Sequence, residues 1–341
     1  MSVLVVNGAG SELGVRLVRR LAADDGVERI VALTRRRSNP FDDLGLVQVL
    51  RGGPEQESVA TELATADVIV NLANVARSSA PQTGAGLVEL NRTLLAGATR
   101  ASSVVHVSSA TVYGAWAANP IPITERAPRR PNPGFVFAEQ RLQGEQLVES
   151  WGRERSAAVA VLRPVAAVAE DHRSWLAAQL LEASAVESAD HDPAWQILHL
   201  DDLASAIALV AISRTAGCFN VAPDGWLTGE ERRALLPGRA RVRLPDPVVG
   251  TARRARRSVR AAADGIEPYL THPWVVSNDR IKTLGWAPAW RNDEALVVAE
   301  RVPAWATLNA RQRQYASLGA LGAVGAGAAA GLGWLARRST R

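Results

Sequence analysis

The chain has 341 residues, enough to bury a large core and to hold two domains. Its single cysteine, Cys218, excludes an intrachain disulfide and fits a reducing compartment. The net charge of +5 rests almost wholly on arginine, and no basic tail or RNA-type aromatic motif accompanies it, so a nucleic-acid partner is not expected.

The first element is an apolar run from Val3 to Val6, which reads as a strand buried on both faces. A strand this early leaves no room for a signal peptide, so a cytoplasmic chain is expected. The turn Asn7-Gly8-Ala9-Gly10-Ser11-Glu12-Leu13-Gly14 follows. Leu13, Leu17, Val18 and Leu21 then recur at helical spacing, so a helix begins inside the turn. The first amides of such a helix lack partners and point at whatever sits above them, which is how a dinucleotide pyrophosphate is held. A ligand-free strand-turn-helix unit would carry the same pattern.

Six further apolar runs follow at 30–33, 46–50, 68–73, 104–107, 159–162 and 218–221, with helical stretches between most of them. This alternation predicts an α/β fold, a Rossmann-type doubly wound parallel sheet of about seven strands. Residues 1–165 are expected to form the dinucleotide-binding domain, which also receives the strand near 218–221. After Pro164 the alternation loosens, and 166–310 are expected to form mainly a smaller substrate lobe over the carboxyl ends of the strands. Residues 311–341 form an apolar tail rich in Gly and Ala.

The second strand ends in Leu33-Thr34-Arg35-Arg36-Arg37, with Thr34 twenty residues beyond Gly14. An acid there would bond the adenosine ribose and favour NAD. The position is neutral and arginines follow, which can pair with a 2′-phosphate in forked geometry. NADP is therefore the expected cofactor, with NAD the alternative and a solvated charged loop the third reading.

The fifth strand runs into Ser108-Ser109-Ala110-Thr111-Val112-Tyr113-Gly114. With Gly8, Gly14, Asn71-Leu72-Ala73, Asn91, Leu162-Arg163-Pro164 and His199-Leu200-Asp201-Asp202-Leu203, the chain resembles an extended short-chain dehydrogenase/reductase of the NAD-dependent epimerase/dehydratase type, over residues 1 to about 300. The resemblance implies that Gly8, Gly10, Ser11, Gly14, Thr34, Arg35, Arg36, Ala73, Arg141 and Pro164 lie along the cofactor. It implies that Ser109 bonds the reacting oxygen and that Asn91 stands on the helix behind the site. It implies no metal. Asp202 is expected to cap the helix through Leu203, and His106 and His199 are expected to be structural.

Two departures from the family matter. Ser11 stands where the family turn has its middle glycine; its side chain crowds the pyrophosphate, or its hydroxyl donates to a phosphate oxygen. On the helix after the serine motif, Phe137 takes the tyrosine position of Tyr-x-x-x-Lys and Arg141 the lysine position, on one helix face. No tyrosine lies between 114 and 268, and the one lysine is Lys282. Phenylalanine cannot deliver a proton to a developing alkoxide, and arginine is a poor acid. Thr111, Glu139 and Tyr113 are the candidate substitutes. Two functions stay open. One is an NADP-dependent oxidoreductase or epimerase with weak acid/base catalysis on an unidentified small molecule. The other is a non-catalytic dinucleotide-binding sensor or scaffold, and either can be a homodimer.

Towards the C-terminus, Asp246 and Pro247 open a helix with an apolar seam and a basic side, Arg253, Arg254, Arg256, Arg257 and Arg260. Residues 316–336 carry no charge, and as a helix would span ~31 Å, about the ~30 Å of a bilayer core. A membrane anchor or surface helix is expected, with docking on the protein or a flexible tail as the alternatives.

Overall fold

The computed structural model describes residues 2–72, 85–170, 172–236, 242–257 and 264–300. Seven parallel strands form the central sheet: β1 (Ser2–Asn7), β2 (Val27–Thr34), β3 (Val47–Arg51), β4 (Val68–Asn71), β5 (Ser103–Val107), β6 (Ala158–Pro164) and, further along the chain, β11 (Gly217–Val221). Their order is β3-β2-β1-β4-β5-β6-β11. The chain winds outward from β1 to β3, then returns to β4 and winds the other way. The junction of β1 and β4 is therefore the topological switch point, where open α/β sheets bind ligands.

Alternation along each strand fills both faces. Leu4, Val6, Ile30, Ala32 and Val70 pack on one side with Leu17, Val18 and Leu21 of α1 (Glu12–Ala22). Val5, Val31, Leu33, Ile69 and Val104 pack on the other with α2 (Glu57–Thr65), α3 (Ala85–Gly97) and α4 (Val136–Arg155). Register also sets a polar row. Asn7 pairs with Asn71, and Asn71 with His106, so three buried polar side chains stand abreast at the carboxyl ends of β1, β4 and β5.

The smaller lobe has two sheets. One joins β7 (Ala166–Ala169), β8 (His172–Arg173) and β10 (Ile197–His199). The other pairs β9 (Val186–Ser188) with β12 (Val242–Leu244). The helices around them are α5 (Trp175–Ala183), α6 (Leu200–Ser213), α7 (Gly229–Leu235), α8 (Asp246–Arg257), α9 (Asp279–Lys282) and α10 (Asn292–Val298). Backbone bonds Ile123 N–Val275 O and Ser277 N–Ile123 O, both 2.8 Å, tie this lobe to the loop after β5.

The predicted cap at Asp202 is corrected. His199 is the N-cap of α6, its Nδ1 accepting the Asp201 amide. Asp202 lies within the helix and its carboxylate accepts the Ala289 and Trp290 amides at 2.8 and 3.0 Å. His199 is fully buried and stacks on Trp290, which fits its structural assignment. The basic helix starts at Asp246 as expected. Its arginine side chains and the tail at 301–341 lie outside what the structure describes. No described helix is long and apolar enough to cross a membrane.

Candidate functional site

The site begins at the turn between β1 and α1. Gly8 has φ +91°, a conformation that favours glycine. A Cβ on Gly14 would lie 2.5 Å from the Gly8 carbonyl oxygen, so only glycine lets α1 start this close to β1. Gly10 packs on Thr34: a Cβ there would overlap the Thr34 Oγ1 and reach Arg36 Cδ at 3.4 Å.

Ser11 turns inward. As the N-cap of α1, it donates its hydroxyl proton to Gly8 O at 2.8 Å and accepts the Gly14 amide at 3.0 Å. Of the two alternatives for Ser11, this arrangement does not show a hydroxyl offered to a phosphate, because its proton is used within the turn. The Glu12 and Leu13 amides keep no protein acceptor among the described residues, and a helix N-terminus of this kind fits a pyrophosphate.

Thr34 is buried at the end of β2, with its Oγ1 accepting the Arg36 amide at 3.0 Å. Arg35, Arg36 and Arg37 follow it, all exposed. The carboxylate against Arg35 is that of Glu55, at 4.0 Å. Arg36 meets no acid among the described residues. This end of the sheet is thus strongly positive and open to solvent. Pro164 closes β6, and Ala73 lies outside the described residues.

The second half of the site is built on β5 and α4. Ser109 follows β5 and caps a single 3-10 turn, Ala110–Tyr113. Its Oγ accepts from the Thr111 amide at 3.2 Å and from the Thr111 hydroxyl at 3.0 Å, leaving its own proton free to donate. Asn91, on α3, is fully buried and its Oδ1 accepts from Asn71 at 2.8 Å. Asn71 in turn accepts from Asn7 at 3.1 Å and stands 3.4 Å from His106 Nδ1. Burial, helped by the nearby Arg141 charge, lowers the His106 pKa to about 4, so this ring is neutral at pH 7. Gly144 of α4 lies against both His106 and Asn91; a Cβ there would come within 3.0 Å of the imidazole.

Phe137 and Arg141 share a face of α4, as their spacing predicts. The guanidinium lies 4.9 Å from the Phe137 ring centroid. Arg141 is 4% exposed, and its Nη1 donates to Val107 O at 3.2 Å. Burial lowers its pKa to about 10, against the pull of Glu145. Phe137 stacks on Trp175 at 4.6 Å and tilts against Phe135 at 5.8 Å. Phe135 packs on Tyr269, whose hydroxyl donates to Thr111 O at 2.9 Å. An aromatic cluster of Phe135, Trp175 and Tyr269 therefore gathers at Phe137.

The candidate substitutes are all engaged elsewhere. Thr111 donates to Ser109. Glu139 accepts the Gly134 amide at 3.1 Å. Tyr113 donates to Asn220 at 2.8 Å and accepts from Arg163 at 2.7 Å, and burial raises its pKa far above neutrality.

Two features carried no warning in the sequence. Trp175 reaches Phe137 only through the packing of the smaller lobe. Glu145 is fully buried in a charge network: Arg163 bonds it twice, at 2.9 and 2.7 Å, Ser108 at 2.6 Å and Arg129 at 3.0 Å. Burial alone would raise the Glu145 pKa, but the bonds and charge of Arg163 outweigh it and hold the carboxylate ionised.

Comparisons with known proteins identify the family and the fold. The sequence model of the NAD dependent epimerase/dehydratase family matches residues 4–222. An uncharacterized protein of Mycobacterium tuberculosis is 29% identical over 316 residues, covering 86% of this chain and 82% of its own. Among solved structures, the dTDP-glucose 4,6-dehydratase of Streptomyces venezuelae, with NAD and TYD bound, superposes with TM-score 0.63 at 20% identity, over 86% of this chain and 94% of the other. A tyrosine-to-phenylalanine mutant of UDP-glucuronic acid 4-epimerase from Bacillus cereus, in complex with NAD and a fluorinated sugar nucleotide, superposes with TM-score 0.65 at 14% identity, over 88% and 98%.

Proposed function

The chain therefore belongs to the NAD dependent epimerase/dehydratase family, and from that premise we propose that it binds NADP(H) without rapid hydride chemistry, as a sensor or scaffold. The turn of Gly8, Gly10 and Gly14 and the N-terminus of α1 would hold the pyrophosphate. Arg35 and Arg36 would pair with the 2′-phosphate, and Thr34, Ala73, Arg141 and Pro164 would border the remainder. A bound nicotinamide supplies or accepts hydride. The protein must then move the matching proton.

The observation that carries the reading is the Phe137 ring stacked on Trp175 where a tyrosine hydroxyl would stand. Thr111, Glu139 and Tyr113 are engaged within the protein. Titration with NADPH and NADH, followed by Trp fluorescence, tests the binding. Absorbance at saturating NADPH over aldehyde and ketone panels tests the chemistry. NADPH is expected to bind more tightly than NADH and to remain unoxidised. Fast turnover would refute the non-catalytic reading. NAD binding as tight as NADP binding would refute the cofactor preference.

One observation favours a second reading, a slow oxidoreductase or epimerase. Ser109 keeps a donatable proton, and loss of a dedicated acid leaves a rate reduced by ~10²–10⁴ rather than abolished. We also propose that the tail at 311–341 and the basic helix attach the chain to an anionic membrane surface.

A further inference from the structure

Arg141 is a nearly buried cation with no ion-pair partner among the described residues. Among those residues only one of its N–H groups finds an acceptor, the Val107 carbonyl, and that bond is long at 3.2 Å. Its nearest acid, one helical turn on, is Glu145. Both oxygens of that carboxylate are already taken by Arg163, Ser108 and Arg129. His106 beside it is neutral. A buried charge left this way is costly, and a protein that needed only packing here would place an apolar side chain.

The geometry suits recognition. The Arg141 Cζ lies over the Phe137 ring, 4.9 Å from its centroid, and the Val107 carbonyl holds one corner of the fork. A planar fork held on an aromatic ring pairs with an oxyanion through two parallel N–H bonds, which an ammonium cannot do. We propose that Arg141 is an anion receptor, taking a carboxylate or phosphate group of a second ligand that binds beside the dinucleotide. This rests on the dinucleotide-binding reading above. It makes the ligand of this site an oxyanion-bearing molecule, selected by charge and not by the proton chemistry that Phe137 has lost.

The test uses the full chain loaded with NADPH, probed separately with oxamate for a carboxylate and with inorganic phosphate. Thermal melting and Trp fluorescence, to which Trp175 contributes from its stack on Phe137, are the readouts. One probe is expected to bind saturably to the wild type and at least tenfold more weakly to Arg141→Met. Arg141→Lys should fall between, because it keeps the charge and loses the fork. Without ligands, Arg141→Met should melt at or above the wild type, since it removes an uncompensated charge. A merely structural arginine would show the reverse, a lower melting temperature with unchanged probe affinity, and that result overturns the proposal. So does a wild type that binds NADPH and responds to neither probe. NADPH affinity is read in the same titration, and a protein that binds no dinucleotide overturns the reading beneath the proposal together with it.

Discussion

Glu145→Gln is the most informative single change, because Glu145 joins the helix of Phe137 and Arg141 to the strands beneath it. The carboxylate is fully buried and accepts two bonds from Arg163, one from Ser108 and one from Arg129. Glutamine keeps the shape but removes the charge. Arg163 would then stay buried with the Tyr113 hydroxyl, at 2.7 Å, as its main partner. Breaking a buried pair from one side costs about 3–5 kcal/mol, and the acceptor that glutamine retains returns about 1 kcal/mol. The expected loss is about 2–4 kcal/mol, or roughly 5–15 °C in Tm for a domain of this size. The double variant Glu145→Gln with Arg163→Met should recover most of it, since the orphaned charge is gone. The pH dependence has a definite sign. The Glu145 pKa is lower in the folded state, so its contribution is complete above the unfolded value of about 4.3 and is lost as pH falls through the folded value. Wild type should therefore lose stability more steeply below about pH 4 than Glu145→Gln does. Melting curves across pH 3–8 decide the matter. A Glu145→Gln protein within about 0.5 kcal/mol of wild type, or a double variant that merely adds the two losses, would refute the reasoning.

Three further outcomes are expected. Replacing Arg35 and Arg36 together by alanine should weaken NADPH binding by about tenfold or more, the effect of losing one or two charge-assisted bonds, and leave NADH binding unchanged; equal losses for both would mean that the arginines do not read the 2′-phosphate. Phe137→Tyr with Arg141→Lys should raise NADPH oxidation on the aldehyde panel by ~10²–10⁴-fold, and no gain would show that Phe137 does not stand at the proton-donor position. Cell fractionation should place the full chain with membranes and a version ending at Tyr315 in the soluble fraction, with the full chain preferring anionic to neutral vesicles; recovery of both in the soluble fraction would refute attachment through the tail.

The sheet was legible because its central strands are buried on both faces and so appear as apolar runs, while the edge strand β3 shows through Val47, Val49 and Leu50 although Gln48 is exposed. Each of the seven lies where such a run stands, from Val3–Val6 to the strand that contains Cys218. The absence of a Tyr-x-x-x-Lys sequence from α4 follows from composition alone. With no lysine before Lys282 and no tyrosine between 114 and 268, no arrangement of this chain could supply Tyr-x-x-x-Lys on α4. What escaped the sequence were choices among partners. Ser11 could face a phosphate or the turn, and the helix N-terminus won its hydroxyl. Asp202 follows a strand as a cap would, but α6 begins earlier and His199 caps it, leaving the carboxylate to hold the segment at Ala289 and Trp290.

The pair Arg141 and Glu145 shows why this limit touches function. The two stand four residues apart on one helix, a spacing at which opposite charges usually meet. Read along the helix alone, they form an ordinary ion pair and the lysine position carries a neutralised arginine. The structure assigns the carboxylate elsewhere. Arg163 enters from β6, from the neighbouring strand of the sheet, and bonds both oxygens of Glu145 with the better, bidentate geometry. The consequence falls on the first arginine. Arg141 keeps its charge, its ring support from Phe137 and, among the described residues, a single carbonyl contact. A local rule thus predicts a silent residue at the position where tertiary structure leaves a charged one.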